Sequence, residues 1–157
     1  MPTRDHAGVL FPPPLMFVLP LVCAIVADQR SHWPIVESRS AFLTGVGVVL
    51  VACAACLGVV AVATFRRAGT TILPALRPTT EIVATGPYRF TRNPMYLGMA
   101  VAYVGASLAL NNAWALAASP VIIAAVDHFV IRREEHYLSR KFGASYAAYK
   151  RAVRRWV

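Results

Sequence analysis

Residues 41–65 read AFLTGVGVVLVACAACLGVVAVATF and contain no acidic or basic side chain. A helix of this length extends about 37 Å, more than the ~30 Å hydrocarbon core of a bilayer. The run is apolar on every side, so a soluble core would bury one face and leave the other against water. A membrane-spanning helix accommodates all of it. Gly45, Gly47, Ala52, Cys56 and Gly58 are small residues suited to close helix contact.

Working outward, residues 8–27 form a first apolar stretch. Pro12, Pro13 and Pro14 would remove backbone bonds in mid-helix, so regular helix is expected from near Pro14, with a kink at Pro20. A cleaved signal peptide is the rival reading. Its basic region would set Arg4 against Asp5, and Ile25-Val26-Ala27 is a poor small-residue cleavage site. Residues 95–110 and 113–131 are separated by Asn111-Asn112 alone, a tight polar turn that predicts an antiparallel helical hairpin. The first helix of that hairpin is short for a full crossing, and either starts at the interface or stops in a protein-lined cavity.

Composition agrees. The chain has 157 residues, 57% of them hydrophobic, with mean hydropathy +0.54, against roughly 45–50% apolar residues in a soluble domain. The fold class expected is therefore all-α. It is a polytopic membrane protein with about four transmembrane helices, a C-terminal helical hairpin and a cytoplasmic amphipathic tail helix. Residues 1–157 form a single membrane domain, with two membrane helices in residues 1–65.

A net charge of +9 raises nucleic acid as a partner, but the distribution of charge answers better to membrane topology. Arg66, Arg67, Arg77, Arg89 and Arg92 lie in the stretch 66–94. Arg132, Arg133, Arg140, Lys141, Lys150, Arg151, Arg154 and Arg155 lie in the tail. The segment 28–40 has Arg30 and Arg39 offset by Asp28 and Glu37, and the Asn111-Asn112 turn has no charge. Four crossings put the stretch 66–94 and both termini on the basic side, which the positive-inside rule assigns to the cytoplasm. No nucleic-acid partner is expected.

The tail repeats Leu138, Phe142, Tyr146, Tyr149, Val153 and Trp156 at spacings of three and four, the signature of one apolar-aromatic helix face, with a break possible at Gly143. It either lies on the cytoplasmic membrane surface or packs over the stretch 66–94 as a lid. Cys53-Ala-Ala-Cys56 has redox or metal spacing but no further ligand in residues 45–63, so small packing residues are expected and no metal site.

Two clusters could carry chemistry. Asp127, the lone acid within an expected span, lies with His128, Glu134 and Glu135 at the cytoplasmic end of the fourth helix. Asp127 and Glu134 are seven apart and share a helix face. The cluster is either functional or a solvated interfacial group with Arg132 and Arg133. The second cluster is the run from Thr85 to Gly98, punctuated by Gly86-Pro87 and Asn93-Pro94 and carrying Tyr88, Arg89, Arg92 and Tyr96 just before a membrane helix. Such a turn suits an anionic group at a helix N-terminus.

Taken together, Gly86-Pro-Tyr-Arg-Phe-Thr-Arg-Asn-Pro-Met-Tyr-Leu-Gly98, a helical hairpin, Arg133-Glu-Glu135, Lys141-Phe-Gly143, Tyr146, Tyr149 and Val153-Arg-Arg-Trp156 resemble one continuous signature. It is similar to that of the isoprenylcysteine carboxyl methyltransferase and phospholipid methyltransferase superfamily, over roughly residues 70–157. The resemblance implies a membrane-embedded methyltransferase of the small bacterial type, in the cytoplasmic membrane, with residues 66–157 as its cofactor-binding catalytic half. It implies S-adenosylmethionine as cofactor and a lipophilic small-molecule or lipid-linked acceptor. By the family's motifs, Tyr88, Asn93, Pro94, Met95, Tyr96, Glu134 and Glu135 would bind the cofactor, and Arg92, Asn93 and Glu135 would be catalytic. Asn93 stands where the family usually has His, and Asn cannot act as a general base. Val130 stands where eukaryotic members carry a substrate-binding arginine.

Two other function classes compete. A small transporter or channel subunit would use Asp127 and the small-residue faces as a pathway, but no internal repeat is visible and the polar chemistry gathers at one face. A non-enzymatic membrane protein would bind a partner or anionic lipid through the basic tail. A soluble nucleotide-binding sheet is excluded, because Gly45-Val-Gly47 lies inside a membrane span.

Overall fold

The computed structural model describes residues 12–69 and 82–157. The expected opening of the first span at residues 8–11, and Arg77, lie outside the described residues. In chain order the elements are α1 (Pro13–Arg30), α2 (Ala41–Arg67), a 3-10 turn (Gly86–Arg89), α3 (Pro94–Ala109), α4 (Ala113–Val126), a π-turn (Asp127–Ile131), α5 (Arg132–Phe142) and α6 (Ala144–Ala152). Among the described residues, β-pairing is limited to isolated bridges, Pro34 with Asn112 and Thr91 with Arg154. The described residues form an all-helical structure.

Among the described residues, three helical segments are long and apolar enough to cross a membrane: Pro13–Arg30, Ala41–Arg67 and the continuous run Ala113–Phe142. The apolar α3 has only 16 residues. The expectation of four spans thus resolves into three long helices and one short one. Pro13 begins α1, where a missing N–H costs nothing, and Pro20 lies inside that helix.

By their contacts the described residues form two compact units. One comprises residues 12–56 and 96–126. There α1 packs along α4, and Phe17 meets Tyr103 with ring centroids 6.3 Å apart. The Asn111-Asn112 turn holds this unit together. Asn111 takes a positive φ of 52°, a conformation Asn tolerates better than most residues. Its Oδ1 accepts from the Ile35 and Val36 amides at 3.1 Å, and its Nδ2 donates to the Val36 carbonyl at 2.9 Å. Asn112 donates to the Ala24 carbonyl, and its Oδ1 accepts from the Ala115 amide, capping α4. Trp33 and Trp114 pack edge to face beside it, 4.9 Å apart.

In the same unit α2 and α3 touch backbone to backbone. A Cβ on Gly47 would come within 2.5 Å of the Ala109 nitrogen, and one on Gly105 within 2.8 Å of the Gly47 carbonyl. The small-residue expectation for α2 is corrected here. Gly45 and Gly58 have open space around them, and Cys53 and Cys56 are exposed thiols, not packing residues. The buried line is Gly47, Ala54 and Ala61. A seven-residue spacing keeps these on one stripe of the helix, and the other small residues fall off it.

Candidate active site

The second unit comprises residues 57–69, 82–95 and 127–157. It holds nearly every residue singled out for chemistry. Its floor is a small core of Ala61, Val83 and Tyr88, with Phe65, Ala68 and Met95 packed around it. The Phe65 and Tyr88 rings meet edge to face at 5.0 Å. Gly86 makes the approach possible. Its φ is +58°, and a Cβ there would stand 2.9 Å from the Thr64 hydroxyl. Tyr88 follows in the 3-10 turn and is buried.

The chain then runs through Thr91, Arg92 and Asn93 into α3, where Pro94 is the first helical residue and fully buried. These three residues grip the C-terminus. The Arg92 amide donates to the Arg154 carbonyl at 2.9 Å. The Thr91 hydroxyl and Asn93 Nδ2 both donate to the Arg155 carbonyl, at 3.1 and 2.9 Å. Arg92 Nη1 donates to the carbonyls of Lys150 and Val153, supplying partners at the end of α6 where helical ones run out.

Beneath this grip lies a ladder of alternating charge. Arg92 Nη2 pairs with Glu135 Oε1 at 2.8 Å, both side chains less than a tenth exposed. Arg155 pairs with Glu135 Oε2 at 2.7 Å and with Asp127 at 3.3 Å. Trp156 Nε1 donates to Asp127 at 3.2 Å, and Arg132 reaches Asp127 from the exposed side at 3.1 Å. The hydrogen bonds to Glu135, ahead of burial, hold the Arg155 guanidinium above its ordinary pKa. The expected sharing of a face by Asp127 and Glu134 is corrected. The π-turn inserts one extra residue between α4 and α5. Positions eight apart then align as positions seven apart do in a regular helix, and Glu135 joins Asp127 on Arg155.

Above the ladder is an aromatic cluster. Tyr146 is buried and Tyr149 half-buried, their rings 6.1 Å apart. The Tyr149 hydroxyl donates to the Tyr88 carbonyl at 2.8 Å. Burial pushes all three phenols up. Tyr149 reaches about 12, against the pull of Arg92. For Tyr88 and Tyr146 the Glu134 charge adds to the rise. The Tyr88 hydroxyl and Arg92 Nε are buried with no hydrogen-bond partner among the described residues.

Of the expected site residues, Tyr88, Arg92, Asn93, Pro94, Met95, Glu134 and Glu135 gather in this unit. Tyr96, half-buried, belongs to the other. The tail is not one helix. It breaks at Gly143, with φ +52°, and residues 153–157 leave helix altogether to meet Thr91 and Arg92. Sequence reasoning did not single out Arg155, Trp156 and Thr91 for the site. The run Val153-Arg-Arg-Trp156 was visible, but isolated backbone pairing has no period to detect.

The sequence pattern of the phospholipid methyltransferase family matches residues 42–145. An uncharacterized protein of Haemophilus influenzae is 40% identical over 63 residues, which is 40% of this chain and all of that protein. The nickel-cobalt-cadmium resistance protein NccN of Alcaligenes xylosoxydans xylosoxydans is 32% identical over 140 residues, or 89% of this chain. The chain spans 59% of NccN's length. No solved structure matches it significantly. The matched stretch runs from the start of α2 past the glutamate pair into α6, over long apolar helices, and on that match the chain belongs to the phospholipid methyltransferase family, whose members are membrane methyltransferases.

Proposed function

We propose that this chain is an S-adenosylmethionine-dependent methyltransferase that modifies a lipophilic or lipid-linked acceptor at the cytoplasmic face of the membrane. The observation that carries the reading is the buried Tyr88 hydroxyl, without a hydrogen-bond partner among the described residues, beside Glu134, Tyr146 and Tyr149. Buried polar groups are normally satisfied, and an orphan calls for an explanation, of which a bound ligand is one. Tyrosine faces and a nearby carboxylate fit a cationic ligand with polar substituents. The residues present therefore fit S-adenosylmethionine, which supplies an electrophilic methyl group when bound.

In this reading Tyr88, Tyr146, Tyr149 and Glu134 hold the cofactor, with Pro94, Met95 and Tyr96 shaping the entry to α3. Arg92, Asn93 and Glu135 fix the walls through the C-terminal segment, and thereby position what binds above them. Asn93 offers no base, so the acceptor must present its nucleophile already deprotonated, as a carboxylate does, or lose its proton to another group. Positioning of the two reactants and exclusion of water are then the protein's main contributions.

Calorimetry on the detergent-solubilised chain tests the proposal. S-adenosylmethionine or its demethylated product should bind with low- to mid-micromolar affinity, roughly −7 to −8 kcal/mol. Neither heat nor a thermal shift at millimolar ligand, in protein that is folded, rejects it. Labelled cofactor incubated with protein and host lipid extract then identifies the acceptor.

A further inference from the structure

Folding sorts the charges of the second unit by sign. Its acids, among the described residues, are Asp127, Glu134 and Glu135, and none of them is exposed. Glu135 is occupied by Arg92 and Arg155, and Asp127 by Arg155 and Arg132. The exposed charges that remain are cations. Arg66 and Arg67 end α2, Arg140 lies in the last turn of α5, Arg151 in the last turn of α6, and Arg154 follows. All five are exposed, and none has an ion pair among the described residues. The helix dipole accounts for basic residues in last turns. It does not account for the withdrawal of every described acid, which leaves like charges to repel one another unless a counter-charge is supplied.

The place of this surface says what supplies it. The end of α2 and the end of the run Ala113–Phe142 both belong to this unit, and both close helices long and apolar enough to cross a membrane. The unit therefore stands against the headgroups of one leaflet. Large aromatic side chains are exposed among its cations. Phe90, next to Arg89, is 77% exposed, and Phe129, three residues before Arg132, is 53% exposed. Aromatic rings with Lys and Arg beside them suit the boundary between acyl chains and phosphates. Cations just beyond a membrane helix attract anionic lipid.

We infer that the exposed cationic surface of this unit binds the headgroups of anionic phospholipids and retains them in preference to zwitterionic ones. The partner is a lipid whose phosphate charge is not cancelled by an amine, such as phosphatidylglycerol. The inference does not depend on the proposed methyl transfer.

The full chain, exchanged into detergent with equimolar phosphatidylglycerol and phosphatidylcholine and then washed, tests it by mass spectrometry of the lipid retained. At ~0.1 M salt phosphatidylglycerol should be enriched several-fold, and the enrichment should fall towards equality at ~1 M salt, where screening acts within about 3 Å. Equal retention at low salt overturns the inference. The triple variant Arg140→Gln, Arg151→Gln, Arg154→Gln should lose most of the enrichment. The variant Arg30→Gln, Arg39→Gln, which changes exposed arginines of the other unit, should keep it. Equal losses in the two variants would mean that this surface is not the binding site. Displacement of the retained phosphatidylglycerol by an RNA oligonucleotide at ~0.15 M salt would assign the surface to nucleic acid and also overturn the inference. The salt series uses the unaltered chain, so it decides the matter even if a variant does not fold.

Discussion

Glu135 is 6% exposed and bonded to both Arg92 and Arg155. Its chain neighbour Glu134 is half-buried and lies near enough to Tyr88 and Tyr146 to raise both phenols. Adjacent carboxylates should therefore respond differently to neutralisation. Glu135→Gln takes from Arg92 its carboxylate and leaves Arg155 with Asp127 alone, and removing one partner of a buried pair costs about 3–5 kcal/mol; a large fall in melting temperature is expected. Glu134→Gln should weaken S-adenosylmethionine by about 1.5–3 kcal/mol, the range for a hydrogen bond to a charged group. Equal cofactor affinity in wild type and Glu134→Gln would remove Glu134 from the binding site. Tyr88→Phe separates ligand binding from folding. With no partner for the hydroxyl among the described residues, its loss should keep or raise stability. Cofactor affinity should fall by about 1 kcal/mol on the value of a neutral hydrogen bond. Calorimetry and thermal melting read the two effects independently.

Among the elements, the contact of α2 with α3 makes the sharpest demand on side-chain size. Gly47→Ala and Gly105→Ala each place a methyl group against backbone, which cannot rotate away. Overpacking of this kind costs about 1–3 kcal/mol. Gly45→Ala and Gly58→Ala meet open space and should be neutral or slightly stabilising through helix propensity. Unfolding of the four variants in one detergent checks the contrast, and equal stabilities would contradict the close crossing. The docking of α6 carries a pH dependence of definite sign. Burial raises the Tyr149 phenol to about 12, against about 10 in an unfolded chain. The neutral ring therefore contributes its full stability below about pH 10, and that contribution is lost as pH rises towards 12. Melting temperature should decline across that window, less so in Tyr149→Phe.

On the scale of the whole molecule, topology is the test of the charge argument. Reporter fusions or cysteine accessibility should place the C-terminus and residues 82–93 in the cytoplasm and residues 31–37 outside. A C-terminus outside would sink both the orientation and the access of a water-soluble cofactor to the site. The spans, the Asn111-Asn112 turn and the family signature were legible in the chain itself, because a bilayer demands unbroken apolar runs and a helix shows its faces at short, regular spacing. That is why 41–65 anticipates α2 and 95–110 anticipates α3 to within a residue or two. Other features became visible only in the folded chain. Which small residues of α2 are buried depends on the crossing with α3, so Gly47 is indispensable and Gly45 is not. Which glutamate joins the ladder depends on one extra residue in the π-turn. The role of Arg155 depends on a chain end that abandons helix to pair with Thr91 and Arg92, 61 to 64 residues away. Local pattern determined where the helices are. The polar partners were decided by tertiary structure, because a buried charge is satisfied by whatever the fold brings within 3 Å, and sequence spacing does not encode that distance.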